Sequence, residues 1–238
     1  MGMKFLDMFK EDCRYYDPDG VEIKTVLKNV DIKNKIILDV GAGIGRLSFP
    51  LAKYAKEVIA LDSDRKFNEY FKKHKKDNLR FVNQKAEHFL RRKLNVDIFL
   101  LAWPTINFKF VSLIKKSMNE ESMLVFIICD SNSDFETIID KLNVFEKDSF
   151  KEDIKNKIKF LSIIPKKFKI LIKKNIKTRY VYPNERIAFN ALKNFVTLWY
   201  NINLNKNGQK RLREIIKKHK EGGKIIFGEK IYFYLLKK

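Results

Sequence analysis

Short apolar runs alternate with stretches whose apolar residues return every three or four positions, and the alternation holds through the first half of the chain. Ile36, Ile37, Leu38 and Val40 form one such run, of the kind a strand buried on both faces requires. Similar runs fall at 57–61, 79–83, 96–102 and 123–129. Between them, Leu47, Phe49, Leu51 and Ala52 give a face that can dock a helix. Residues 66–76 read as a basic helix with Phe67, Tyr70 and Phe71 on one side, and 110–118 and 134–142 as two more. A β-α order repeated in this way predicts an α/β fold, a doubly wound and mostly parallel sheet with helices on both faces. Ligands of such sheets sit beyond the carboxyl ends of the strands.

The ends of the chain read differently. Residues 1–35 form a lead-in: Phe5, Leu6, Met8 and Phe9 make a short amphipathic turn, Asp17-Pro18-Asp19-Gly20 signals a reversal, and 21–30 has helical spacing. From 168 to 176 apolar residues alternate with lysines, the pattern of a half-exposed sixth strand, preceded by a turn at 162–165. Pro183 fixes a turn and Asn184 can cap the helix marked by Ile187, Ala188, Ala191, Leu192, Phe195, Val196 and Trp199. A second helix, 208–219, runs to Gly222-Gly223, and a last strand covers 224–236. Seven strands are expected in a single domain over 1–238, with a helical insert at 184–222 as a candidate lid.

Chemistry concentrates after the first strand. Gly41, Gly43 and Gly45 follow Asp39 at alternate positions. Glycine opens φ values closed to other residues and lets a ligand approach the backbone, and a helix starting beyond the turn would add unpaired N–H groups. A dinucleotide site expects G-x-G-x-x-G, but its third glycine would fall at Arg46. The acid before the turn suits a ligand carrying an ammonium group better than a pyrophosphate. Asp62 ends the second strand, where a nucleotide-binding βαβ unit places an acid that can accept bonds from ribose hydroxyls.

The acidic-x-Gly-x-Gly-x-Gly turn resembles the first motif of the class I S-adenosylmethionine-dependent methyltransferases. The resemblance implies a Rossmann-like sheet that ends in an antiparallel pair, and methyl transfer from S-adenosylmethionine with S-adenosylhomocysteine as product. It implies cofactor contacts from Asp39, Gly41, Ala42, Gly43, Gly45, Asp62 and Ser63. From the loop after the third strand it adds Ala86 and Glu87, and from the end of the fourth strand Ala102. Lys85 stands where the family often has an acid for the adenine amino group, so Gln84 or the Ala86 amide is left for that contact. Trp103, Tyr16 and Tyr182 are candidate substrate contacts. Methylators of nucleobase and glutamine amines carry Asn or Asp, two prolines and an aromatic at the fourth strand's end; Ala102-Trp103-Pro104-Thr105 lacks that signature. The arrangement after Tyr182 looks like the small-molecule enzymes of quinone biosynthesis. No residue stands out as a catalytic base, with His88, Glu185 and Tyr182 the candidates.

Totals narrow this reading only a little. The net charge of +21 would attract RNA, anionic lipid or acidic metabolites. Lys166, Lys167, Lys169, Lys173, Lys174, Lys177 and Arg179 either line a path for phosphates or form the wet face of an edge strand. No apolar run spans a bilayer, and the N-terminus lacks a secretion or myristoylation signal, so a cytoplasmic protein with two reduced thiols, Cys13 and Cys129, is expected. Scattered histidines suggest no metal site. The expected partner is a small-molecule acceptor, acidic ones included. RNA is the alternative acceptor, and a non-catalytic adenosyl-binding module the second alternative.

Overall fold

The structure is a computed structural model. It describes residues 5–104, 108–130, 138, 140–142, 155, 158–159 and 161–238. The five apolar runs are strands: β1 (Ile36–Val40), β2 (Glu57–Asp62), β3 (Leu79–Asn83), β4 (Ile98–Ala102) and β5 (Met123–Cys129). The pairs β3-β2, β2-β1, β1-β4 and β4-β5 are all parallel. Leu38, Val58, Ala60, Phe99, Val125, Phe126 and Ile127 are all fully buried. Burial on both faces is why these strands read as continuous apolar runs rather than alternating ones.

Two long strands come next, β6 (Lys169–Tyr182) and β8 (Lys224–Lys237), with the two-residue β7 (Lys220–Glu221) between them in sequence. The sheet order is β3-β2-β1-β4-β5-β8-β6, so the last long strand enters between the fifth and the sixth. Seven strands of five residues or more are therefore present among the described residues, as expected, with β7 added antiparallel to β8. The β7–β8 turn is Gly222-Gly223 with φ of 53° and 82°, the left-handed pair that a two-residue hairpin needs.

The chain divides into two compact units, and β6 and β8 each contribute residues to both. One unit holds Glu22–Ile128, Asn156–Ile176 and Ile231–Lys238. It contains β1 to β4, β5 up to Ile128, α2 (Val21–Asn29) from Glu22 onward, and the short helices α3 (Ser48–Leu51), α4 (Asn68–Lys73), α5 (Ala86–Phe89) and α6 (Phe108–Ser117). The other holds Met1–Val21, Cys129–Lys155 and Lys177–Lys230. There α1 (Phe5–Tyr15) packs on α7 (Glu185–Tyr200) through Phe9 and Trp199, whose ring centroids are 5.6 Å apart. Asn194 Nδ2 also donates to Glu11 at 2.7 Å. The same unit holds α8 (Lys206–Lys218). Asn184 caps α7 as expected, its side chain accepting the Ile187 N–H at 2.9 Å.

Two expectations need correction and one is made more precise. The lead-in turn at Phe5 is an eleven-residue helix. The helix after the glycines is one turn only, because Asn78 Nδ2 takes the carbonyls of Ala52 and Ala55 at 2.8 and 3.0 Å and β2 must begin at Glu57. The turn expected at 162–165 is helical over 161–167. Leu161, Ile164 and Phe168 return at helical spacing, and burial of Ile164 and Phe168 outweighs the local turn signal of Ser162 and Pro165. Thr105 and most of the helix expected at 134–142 lie outside the described residues.

Beneath the glycine turn lies an aromatic stack. Phe49 and Phe71 are parallel at 5.2 Å, and Phe71 and Phe81 at 4.6 Å. A Cβ on Gly45 would sit 2.8 Å from the Phe71 ring and 2.9 Å from the Phe49 ring, at a φ of 77°. On Gly222 it would meet nothing within 4 Å, at a φ of 53°. Gly45→Ala should therefore destabilise by about 3 kcal/mol, overpacking added to backbone strain, and Gly222→Ala by about 1 kcal/mol, strain alone. Urea unfolding of the two variants checks this; equal losses would contradict it.

Candidate functional site

The glycine turn is held to the end of β2 by main-chain bonds. The register pairs Val40 with Leu61, which brings Gly41 to the carboxyl end of the neighbouring strand. The N–H groups of Gly41 and Ala42 both donate to the Leu61 carbonyl, at 2.8 and 3.1 Å. The next amide, Gly43 N–H, donates to Asp62 Oδ2 at 2.9 Å. Asp62 Oδ1 accepts the N–H of Asp64 at 2.9 Å. Gly41, Gly43 and Gly45 have φ of 76°, 56° and 77°, so the alternate glycines are what allow the chain to fold back in so few residues. Both Asp62 oxygens are thus oriented by backbone, and each keeps a second lone pair for a hydroxyl.

Asp39 lies on the strand just before the turn and is almost wholly buried. Ser48 Oγ donates to its Oδ2 at 2.5 Å. Burial raises its pKa from 3.8 to about 6; the Ser48 bond and the Arg46 charge oppose that rise, and the Asp62 charge adds to it. A desolvated carboxylate of this kind is stabilised by a cation brought next to it. The two acids flank a turn whose alternate residues lack side chains, which fits a ligand that has both a positive end and vicinal hydroxyls.

The loop after β3 joins this group. Asn83 Nδ2 and the Gln84 N–H both donate to the Asp62 carbonyl, at 3.0 Å each. Ala86 and Glu87 begin α5, with Glu87, Lys85 and His88 exposed, and Ser63 lies exposed in the bend after Asp62. Ala102 ends β4 opposite Ile127 of β5. Asp39, the glycines, Asp62, Ala86 and Ala102 thus all lie at or beyond carboxyl ends of parallel strands, as the reading from sequence requires.

Tyr16 and Tyr182 belong to the other unit. Tyr16 is buried, its hydroxyl accepting from Thr178 at 3.1 Å and its ring 4.9 Å from that of Tyr180. Tyr182 is buried beside Tyr15, at 5.0 Å. Burial first, then the charges of Asp12 and Glu11, push the Tyr182 phenol well above its usual pKa, so it keeps its proton and makes a poor base. Glu185 is drawn the other way by a hydrogen bond from Lys220, which weakens it as a base.

Two residues beside the site, Glu22 and its partner Arg46, escaped the sequence reading. Glu22 on α2 has no exposed surface. Its Oε2 is 2.5 Å from Arg46 Nη1, and its Oε1 accepts the indole N–H of Trp103 at 2.7 Å. A signal was present: Glu22, Val26 and Val30 share one face at spacings of four, so the helix had to bury an acid.

The Asp39 geometry has a measurable effect on stability. Because the folded pKa is raised, its contribution to stability is full below pH 4 and is lost as pH rises through about 6. The loss is about 3 kcal/mol above pH 7, at 1.36 kcal/mol per unit. Asp39→Asn should therefore gain stability relative to the native chain in ligand-free protein at pH 7.5, and the gain should shrink at pH 4.5. Urea unfolding at both pH values checks this; a difference independent of pH would contradict it.

The chain is similar to known proteins. Residues 37–116 match the family described as "Methyltransferase domain". A 47-residue stretch is 49% identical to the probable ribosomal RNA small subunit methyltransferase A of Methanosphaera stadtmanae. That stretch is 19% of this chain, and it spans only 17% of the length of that relative. Among solved structures, a candidate type II methyltransferase from Anaeromyxobacter dehalogenans superposes with a TM-score of 0.63 at 12% identity, over 91% of this chain and 94% of that one. A candidate methyltransferase from Bacillus halodurans does so with 0.59 at 13%, over 92% and 99%. Identities this low speak for the fold alone, and the family match falls on the part of the fold that carries the glycine turn and Asp62. Over residues 37–116, about a third of the chain, the protein is thus similar to a methyltransferase domain, and the part so matched is the one that holds the glycine turn.

Proposed function

We propose that the protein transfers a methyl group from S-adenosylmethionine to a small-molecule acceptor. The observation that carries the cofactor half is the clamp of the Gly43 N–H on Asp62, with buried Asp39 on the strand that leads into the turn. In this reading Asp62 receives the ribose hydroxyls, the glycine turn receives the adenosyl body, and Asp39 faces the cationic end. Ala86 and the backbone after β3 take the adenine side, with Glu87 and Ser63 at its rim. S-adenosylmethionine supplies the electrophilic methyl group. The chain's own task is then to aim the acceptor and exclude water, which is sufficient for a displacement whose nucleophile is already unprotonated. Trp103, at the end of β4, is assigned to the acceptor side.

The small-molecule reading is supported by the segment at the end of β4. Ala102-Trp103-Pro104 offers no side-chain carbonyl to hold an amine, unlike the methylators of nucleobase amines. RNA is the second reading, and two observations favour it. The stretch shared with a ribosomal RNA methyltransferase is one. The other is the edge strand β6, where Lys169, Lys173, Lys177 and Arg179 stand exposed on a chain of net charge +21. Arg179 is already paired with Asp19 at 2.8 Å, which weakens that strip as a phosphate path.

Incubation with methyl-labelled S-adenosylmethionine and a fractionated cell extract separates the readings. Label is expected in the small-molecule fraction. Label in RNA alone would replace it with the second reading, and label in no fraction would contradict methyl transfer. The RNA reading also requires binding that weakens at least about tenfold between 50 and 200 mM salt. Asp62→Asn should weaken cofactor binding by about tenfold or more, since a charge-assisted acceptor becomes neutral. Equilibrium dialysis with labelled cofactor checks this, and unchanged affinity would remove Asp62 from the site.

A further inference from the structure

Three elements distant in sequence meet at one buried carboxylate. Glu22 comes from the helix before β1, Arg46 from the glycine turn, and Trp103 from the residue after β4. All three belong to the same compact unit. β1 and β4 are neighbours, with Asp39 opposite Leu100, so the segments beyond their ends lie side by side. Arg46, beyond the end of β1, and Trp103, beyond the end of β4, thus both reach Glu22.

Trp103 is the strained member. Its N–H extends the ladder by donating to the Ile127 carbonyl at 2.9 Å, and the chain then turns with a φ of 54°. A left-handed φ on a bulky side chain costs about 1–2 kcal/mol. The next residue is Pro104, whose ring already restricts the residue before it. Such a conformation persists only where its surroundings over-determine it. The bond from the indole N–H to Glu22, at 2.7 Å, supplies that constraint. The carboxylate cannot move to another partner without leaving Arg46, its ion-pair partner at 2.5 Å, beside an emptied buried site.

We propose that Glu22 is a positioning residue of the transfer site, coupling the cofactor turn through Arg46 to the orientation of the Trp103 ring. This rests on the methyltransferase reading only for the meaning of the site; the mechanical link is independent of it. The two carboxylate oxygens of Glu22 go to Arg46 and to the Trp103 indole. It holds one residue of each side, so that loosening it disturbs both.

The test uses the full chain with Trp199→Phe, which leaves Trp103 as the one indole of the two in the sequence, and S-adenosylhomocysteine as the probe. Glu22→Gln keeps shape and removes the charge. At a temperature well below its unfolding midpoint it should shift Trp103 emission to the red and increase its quenching by acrylamide. It should also weaken S-adenosylhomocysteine binding about tenfold, as misplacement near a site does. Unchanged emission, quenching and affinity would overturn the proposal. So would a lowered unfolding midpoint with those three unchanged, because it would leave Glu22 a packing role alone. Should Glu22→Gln not fold, Arg46→Gln cuts the same pair; about tenfold weaker binding is expected, and unaltered affinity overturns the link. Failure of the parent chain to bind S-adenosylhomocysteine would count against the cofactor reading instead. The emission and quenching of ligand-free Glu22→Gln would then still decide the positioning claim.

Discussion

The Gly43 amide donating to the Asp62 carboxylate, at 2.9 Å, is the contact on which the site is built. It joins the ends of two parallel strands with a bond between backbone and charge, and it can form only because three alternate residues lack side chains. Bonds from Gly41 and Ala42 to Leu61 bring the turn within reach of Asp62. The bond from Asp64 fixes the second carboxylate oxygen. The Phe49–Phe71–Phe81 stack supports the turn from below and leaves no room for a methyl group at Gly45.

The site also stores unfavourable energy. Asp39 is ionised above pH 6 in surroundings that disfavour charge. Trp103 is turned into a conformation few tryptophans adopt. Sites often keep such strain where a ligand or a neighbour relieves it. For Asp39 the relief would be a cation in the turn; for Trp103 it is Glu22. Stability and binding therefore pull in opposite directions at Asp39 and together at Glu22.

Much of this was legible in the chain. The five buried strands announced themselves as apolar runs, because a parallel sheet covered on both faces has no polar side to interrupt them. Asp39, the glycines and Asp62 were picked out by their spacing and by the resemblance it carries, and the structure puts them at the ends of neighbouring strands. What escaped depended on pairing across distance. Arg46 was visible only as a residue in a glycine's place, and its partner Glu22 lies in a helix with no motif. The helical stretch 161–167 was misread because Ser162 and Pro165 are local turn signals, whereas burial of Ile164 and Phe168 is a tertiary effect. The helix after the glycines was legible from Leu47 to Ala52 but its length was not, since Asn78, from a distant loop, donates to the carbonyls of Ala52 and Ala55.

The central claim is that the turn from Asp39 to Gly45, closed by Asp62, binds an adenosyl amino acid. Isothermal titration of the native chain and of Gly43→Val with S-adenosylhomocysteine tests it most directly. The account predicts one saturable site on the native chain, displaced by S-adenosylmethionine and lost in a folded Gly43→Val. Absence of binding to the native chain, or equal binding to both, would contradict it.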